Sequence, residues 1–511
     1  MARTVGGTAG LTLIAALLGL VRDQAVARLF GASHASDAFL IAWTVPEMAA
    51  TLLIEDGMAL LLVPAFSLAL TRRAAGGHAT DPVRALVADT LPRLFVCLAC
   101  AGALLVWGAP WAVGALAPGL DDPRLAVDCT RLTAVTVLTF GVTGYFSAAL
   151  RAHGRFLAPA GVYIAYNVGI IAMTLALHSA WGVRAAAAGV AVGSLLMILT
   201  LLPTFVRLVP RRAGTGRRAV RKESALLGAT VLAPVVLFVV SRQSQVFVER
   251  FLASSLPDGA ISHLNYAQKV AQLPMVLSMM ICTVTFPVVA RAMAAGDREG
   301  ARRRVERDLA LAGTVVLLGT AMVLGCAPLI VEVLFQRGAF DAADTAATAG
   351  VMRLYALGLL GHTLVGALCR PFFSAGRPTW YPLGAMGAGL VVTTAAGLAL
   401  TGPFGVRGIA AANAVGISTA ALLMLVGLGS RAVAVRTRAV ALSLVRPAGA
   451  AAVAALAGRL AADLVPGPAP AGLAAGCLAV PLAFLLTGLA LRAPEAVHLL
   501  ALVRRRFPHG R

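Results

Sequence analysis

Long apolar runs separated by short polar breaks fill the chain from one end to the other. A helix needs about 20 mainly apolar residues to cross a bilayer, and runs of that length recur throughout. The pattern predicts fourteen helical spans, near 5–30, 37–70, 85–108, 125–149, 157–177, 185–206, 223–252, 262–289, 308–334, 346–369, 379–400, 408–429, 447–461 and 472–491. Nothing between them is long enough for a soluble domain. The fold class that follows is an all-α integral membrane protein. The first run continues into charged helix, not into a cleavage site, so no signal peptide is expected.

The first two spans depart from the plain pattern. The stretch from Leu11 to Arg73 holds Arg22, Asp23, Arg28, Asp37, Glu47, Glu55 and Asp56 among apolar residues, with Pro46 and Gly57 interrupting the second span. An ionised group at the centre of a bilayer helix costs roughly 2.5–3.5 kcal/mol on insertion scales, so such groups face a watery cavity or a partner. Broken backbone at membrane depth is tolerated only against protein or a cavity. This hairpin is therefore expected to wall a polar cavity inside the membrane.

Composition agrees with the pattern: 59% of the 511 residues are hydrophobic and only 13% charged. A soluble domain carries about 25% charged residues. The seven cysteines are scattered, and the C-x-x-C of Cys97 and Cys100 has no histidine or acid nearby, so it reads as small apolar filling. Charge then tests the span count. The ends and even-numbered loops hold 30 of the 43 Lys and Arg, whereas the odd loops hold only Arg124, Arg184, Arg337 and Arg407. A missed span would invert every later loop and destroy that contrast. The positive-inside rule places both termini in the cytoplasm. It also accounts for the net charge of +21 without nucleic acid, since the basic residues are spread over all the cytoplasmic loops.

The organisation expected is an N-terminal lobe of spans 1–6 (1–206), a basic cytoplasmic linker (207–222), a C-terminal lobe of spans 7–12 (223–430), two additional spans (431–491) and a basic tail (492–511). The stretch 262–293 repeats the layout of 36–73, with an early proline (Pro46, Pro274), a late one (Pro64, Pro287) and a basic stop. Such internal repeats are common in transporters.

Several motifs in order then resemble one family. Arg22-Asp23, FGAS at Phe30–Ser33, DAF at Asp37–Phe39, the proline of WTVP and the spacing of Glu55 to Pro64 resemble the start of the MurJ/MviN lipid II flippases. HGRFLAPA (153–160) with Asn167, SLPDGAISHLNYA (255–267), VLFQRGAF (333–340) and CRPFFSAGRPTWYP (369–382) continue the likeness over most of the chain. The resemblance implies a MOP-superfamily exporter with fourteen spans in two lobes. It implies a central cationic cavity for the diphosphate and sugar head of a polyprenyl-linked precursor, and alternating access. The chain departs from the family where arginines usually stand: Ala16, Ala50 and Thr51 occupy such positions, Lys269 replaces an arginine after Gln268, and Gln272 replaces a later acid. With these departures it resembles a divergent member.

The candidate substrate-binding cations are Arg22, Arg242, Lys269, Arg28 and Arg250, because a diphosphate needs fixed cations in low dielectric. Arg22 and Arg28 are six residues apart and do not share a helix face. Arg22 either faces the cavity or pairs with Asp23 or Asp37. Arg242 and Lys269 either reach substrate or make buried interhelix bonds, and Arg250, near a span end, is expected to snorkel. Asp23, Asp37, Glu47 and Glu55 are expected to balance charge or gate. No P-loop, zinc motif or Ser/His/Asp grouping is present in the sequence, and neither a cofactor nor a metal is implied. The function expected is a flippase in the bacterial cytoplasmic membrane, not an enzyme. Its expected partners are a polyprenyl-diphosphate-linked glycan lipid, membrane lipids and envelope-synthesis proteins. The rival readings are a transport-inactive scaffold for envelope synthesis and a small-molecule exporter of the same superfamily.

Overall fold

A computed structural model describes residues 2–55, 57–75, 81–208, 226–279, 282, 297–374, 379–431 and 435–492. Among them the long apolar runs are all α-helical and no strand forms. In order these are α1 (Ala2–Phe30), α2 (His34–Ala50), a π-helical turn (Thr51–Glu55), α3 (Gly57–Ala75), α4 (Pro82–Leu116), α5 (Arg124–Thr133), α6 (Thr136–Ala152), α7 (Leu157–Trp181), α8 (Arg184–Leu208), α9 (Leu226–Ala253) and α10 (Ala260–Ala271). They continue with α11 (Arg298–Phe335), α12 (Ala342–Ser374), α13 (Tyr381–Phe404), α14 (Val406–Arg431), α15 (Thr437–Leu464) and α16 (Ala469–Ala490). Twelve helical segments among the described residues are long and apolar enough to cross a membrane. α9 and α10 occupy the places of the seventh and eighth expected spans. Most of the basic linker 207–222, part of the loop 290–307, Pro287 and the tail beyond Arg492 lie outside the described residues.

The molecule is an integral membrane protein in its surface chemistry as well. Leu104, Val391 and Leu478 are 65%, 69% and 76% exposed on their helices, which suits lipid and not water. Trp107 and Trp111 lie towards the end of α4, Trp181 closes α7 and Trp380 precedes α13, and all four are exposed. Those are the positions of an interfacial aromatic belt. Small residues fill the helix contacts: a Cβ on Gly169 of α7 would stand 2.6 Å from the Cα of Gly193 on α8. Without a hydrophobic drive between helices in lipid, such close backbone packing supplies the cohesion.

The second expected span is broken in a specific way. Pro46 has no N–H, so the Ala42 carbonyl one turn earlier loses its helical partner. The Thr133 hydroxyl of α5 reaches that carbonyl at 3.2 Å, sharing its proton with Thr130 O of its own helix at the same distance. Five residues after Pro46 the backbone widens into the π turn Thr51–Glu55 before α3 begins at Gly57. α6 packs on this turn at Gly144, where any side chain would overlap the Leu53 carbonyl. π turns inside α-helices concentrate at functional sites.

The chain divides into two compact units, 1–262 with 337–340 and 263–336 with 341–511. In the first, α7 packs on α1 and α8, α2 on α5, and α6 on α3, α4 and α8. In the second, α14 packs on α12 and α13, while α11 packs on α12, α15 and α16.

Candidate functional site

The charged groups of the first hairpin are gathered in the first unit by α1, α2 and α7. Arg22 on α1 is 12% exposed, and its Nε and Nη2 donate to Asp23 Oδ1 at 3.0 and 2.8 Å. Its Nη1 donates to Asn167 Oδ1 of α7 at 3.1 Å. The guanidinium lies 4.5 Å from the centroid of the Trp43 ring on α2, within cation–π range. Asn167 is itself fixed, donating through Nδ2 to the carbonyls of Tyr163 (2.9 Å) and Ala15 (3.2 Å). A guanidinium carries five N–H donors. Three are engaged here, which leaves one on each Nη for a ligand oxygen.

Carboxylates surround this cation. Asp23 is its neighbour, and Glu47, half-buried on α2, is among the charges that Arg22 senses. Glu55, exposed at the end of the π turn, accepts from Tyr163 Oη at 2.9 Å. Gln243 of α9 reaches the same turn, with Nε2 3.3 Å from Thr51 Oγ1. Of the two carboxylates expected as partners for Arg22, Asp23 is the one that pairs with it.

Asp37 is elsewhere and does something else. It is 6% exposed near the start of α2, and its carboxylate accepts from Gly259 N (2.8 Å), Ser262 N (2.7 Å) and Ser262 Oγ (2.6 Å). It thereby caps the N-terminus of α10, where backbone N–H groups have no helical partner. Gly259 makes the approach possible: its φ is +89° and a Cβ there would stand 2.6 Å from Ala32 O. Arg250 supplies a compensating charge near Asp37 and donates through Nη1 to Ile261 O at 3.1 Å. At 2% exposed Arg250 is buried, so the expected snorkelling does not occur: the Asp37 charge and the Ile261 carbonyl hold it inside.

Of the remaining candidates, Arg28 is exposed, and its carbonyl accepts from Ala339 N at 2.9 Å. Arg242 is half-buried on α9 in the first unit, and Lys269 is half-buried on α10 in the second. Sequence reasoning did not single out Tyr163, Tyr166 or the role of Trp43. The available signal was the polar set Tyr163, Tyr166 and Asn167, three and four residues apart on the otherwise apolar α7. Among the described residues no group of three His, Cys, Asp or Glu could hold a metal ion.

A family model described as lipid II flippase MurJ matches residues 26–468, most of the chain. The chain belongs to the MurJ family. The lipid II flippase MurJ of Burkholderia cenocepacia is 28% identical over 433 residues, covering 83% of each chain. A solved structure of the lipid II flippase MurJ in an inward closed conformation superposes with a TM-score of 0.78 at 17% identity, over 97% of this chain and 99% of that one. A multidrug-resistance MATE transporter of the MOP superfamily, in an inward-facing conformation, gives 0.66 at 14% identity over 85% and 98%. These two structures share the fold. Asp37, Glu47, Glu55, Asn167, Arg242, Arg250 and Lys269 all fall within the stretch matched by the MurJ model, while Arg22 and Asp23 lie just ahead of it.

Proposed function

We propose that this chain moves lipid II, or a closely related polyprenyl-diphosphate-linked precursor, across the bacterial cytoplasmic membrane by alternating access. It is a transporter and not an enzyme. The observation that carries this reading is the MurJ family match over residues 26–468. Membership implies a lipid-linked substrate. Both termini face the cytoplasm, on the strength of the 30 Lys and Arg in the ends and even loops.

Arg22 is the principal contact for the diphosphate. Asp23 and Asn167 fix its fork, Trp43 covers one face, and two N–H donors remain to meet phosphate oxygens. Arg242 and Lys269 are the other cations proposed for the substrate. Arg250 serves Asp37, and Arg28 lies away from the site.

One observation favours a second reading, a scaffold in envelope synthesis that no longer transports. Ala16, Ala50 and Thr51 stand where family arginines are usual, and Arg22 has Asp23 and Glu47 as neighbouring charges. Complementation of a flippase-depleted bacterium separates the two. Wild type is expected to restore growth, and Arg22→Ala, inserted at equal abundance, is expected to fail. Wild type that inserts normally and restores nothing overturns the flippase reading.

A further inference from the structure

Arg353, Arg407 and Arg459 lie on three neighbouring helices of the second unit, apart from any residue assigned above. Arg353 lies on α12, eleven residues past Ala342, or about 16 Å along the helix at 1.5 Å per residue. Its Nε donates to the Leu324 carbonyl of α11 at 3.2 Å. The next residue, Gly325, admits α15: a Cβ there would stand 2.7 Å from Ala455 O and 3.4 Å from Arg459 N. Arg459 thus leaves α15 beside the carbonyl that holds Arg353. One turn before Arg353, Gly350 admits the third arginine. A Cβ on Gly350 would stand 2.7 Å from Nε and 2.9 Å from Nη2 of Arg407, at the start of α14. The charged groups that Arg353 senses are Arg459, Asp463 and Arg407.

The charge in this cluster does not close. Three guanidiniums share one carboxylate, Asp463, whose Oδ2 is 3.8 Å from Arg459 Nε. The Arg459 and Asp463 side chains are 62% and 69% exposed in the last two turns of α15, a helix long and apolar enough to cross a membrane. Beside Arg407 a cavity of about 380 Å³ is walled by Ala347, Val351, Phe404 and Val406. His263, which also lines it, is 2.9 Å from Thr348 Oγ1 through Nδ1 and 3.8 Å from Asp344 Oδ1 through Nε2, so the Asp344 carboxylate is spoken for by the imidazole. An unbalanced basic cluster at membrane level, next to an apolar recess, has the form of a headgroup site. Guanidinium forks suit phosphate oxygens, and the apolar wall suits the glycerol and upper acyl chain.

We infer that Arg353, Arg407 and Arg459 of the second unit bind the phosphate of an anionic phospholipid. A zwitterionic lipid brings an ammonium as well as a phosphate and leaves the excess charge in place. The site does not depend on the transport reading, and the proposed orientation only assigns it to the extracytoplasmic leaflet.

The test is lipid retention by the purified full-length protein, read by native mass spectrometry during titration with phosphatidylglycerol, phosphatidylcholine or inorganic phosphate. Phosphatidylglycerol is expected to be retained with an affinity about tenfold higher than phosphatidylcholine, the effect of about 1.4 kcal/mol. R407Q/R459Q is expected to erase that preference, because both side chains are exposed and the fold should tolerate the change. R124Q/R131Q, which removes the same charge from exposed positions of the first unit, is expected to keep it. Should the double variant not fold, Arg407→Gln alone must weaken the preference. Equal retention of the two lipids, equal loss in the control pair, or unchanged preference in Arg407→Gln each overturns the inference. Displacement of the lipid by equimolar inorganic phosphate overturns it too, in favour of a free-anion site.

Discussion

Arg22 and Asp37 both carry charge into the membrane, and their partners give them different duties. Arg22 is held by a fork: Nε and Nη2 on Asp23 and Nη1 on Asn167, with Trp43 alongside. A lysine has no planar fork and one charged nitrogen. Arg22→Lys should therefore insert normally yet lose most transport, about tenfold or more, since an arginine–phosphate fork is worth more than a point charge. Near-wild-type rates of precursor translocation in Arg22→Lys would show that charge alone suffices. Asp37 instead satisfies three donors and faces Arg250. Removing one member of a buried charge pair costs about 3–5 kcal/mol. Asp37→Ala is accordingly expected to lower the thermal unfolding midpoint in detergent well below that of wild type, and an unchanged midpoint would refute the capping role. The sequence marked both residues, because charge in an apolar run has few explanations. It marked Asp23 as a partner for Arg22 and Asn167 as part of the motif series, but not the work of Tyr163 or Trp43. Asn167, Tyr163 and Trp43 are single polar or aromatic positions on apolar helices, and only the packing of α7 against α1 gives them work.

At the scale of the element, the second span shows how a break is built and repaired. Pro46 removes a backbone donor, and Thr133 from α5 restores the bond to Ala42 O. A buried carbonyl left without a partner costs about 1–3 kcal/mol. Thr133→Val should be destabilising by that order in the wild-type background. It should cost much less in Pro46→Ala, where residue 46 regains an N–H for the Ala42 carbonyl. Thermal unfolding of the four members of this cycle checks it, and additive effects would refute the repair. Proline made the interruption legible in the sequence. The π turn at Thr51–Glu55 was not legible, because TLLIE has no local signature and the turn depends on α6 packing at Gly144. Helices elsewhere were plain from apolar length alone, since a lipid solvent forces backbone polar groups to pair within each span.

For the whole molecule, the apolar runs and the loop charges led to a polytopic helical fold, and the motif series led to the MurJ family, whose model matches residues 26–468. The orientation makes its own prediction. Single cysteines at 119–123 and 257–260 should react with an impermeant thiol reagent from outside, and those at 211–221, 298–307 and 504–511 only from inside. Labelling of any two same-side loops from opposite faces would break the topology. What the sequence left open was which cations act, because Ala16, Ala50 and Thr51 remove the usual arginines and the structure leaves Arg22 among carboxylates. Transport itself is therefore the central claim. The most direct measurement is translocation of fluorescent lipid II across proteoliposomes that contain the purified chain, alongside Arg22→Ala reconstituted to the same density and shown to be folded. Wild type is expected to give protein-dependent translocation, and Arg22→Ala to lose it. Wild type that moves no lipid II above protein-free vesicles, or Arg22→Ala that moves it at the wild-type rate, would contradict it.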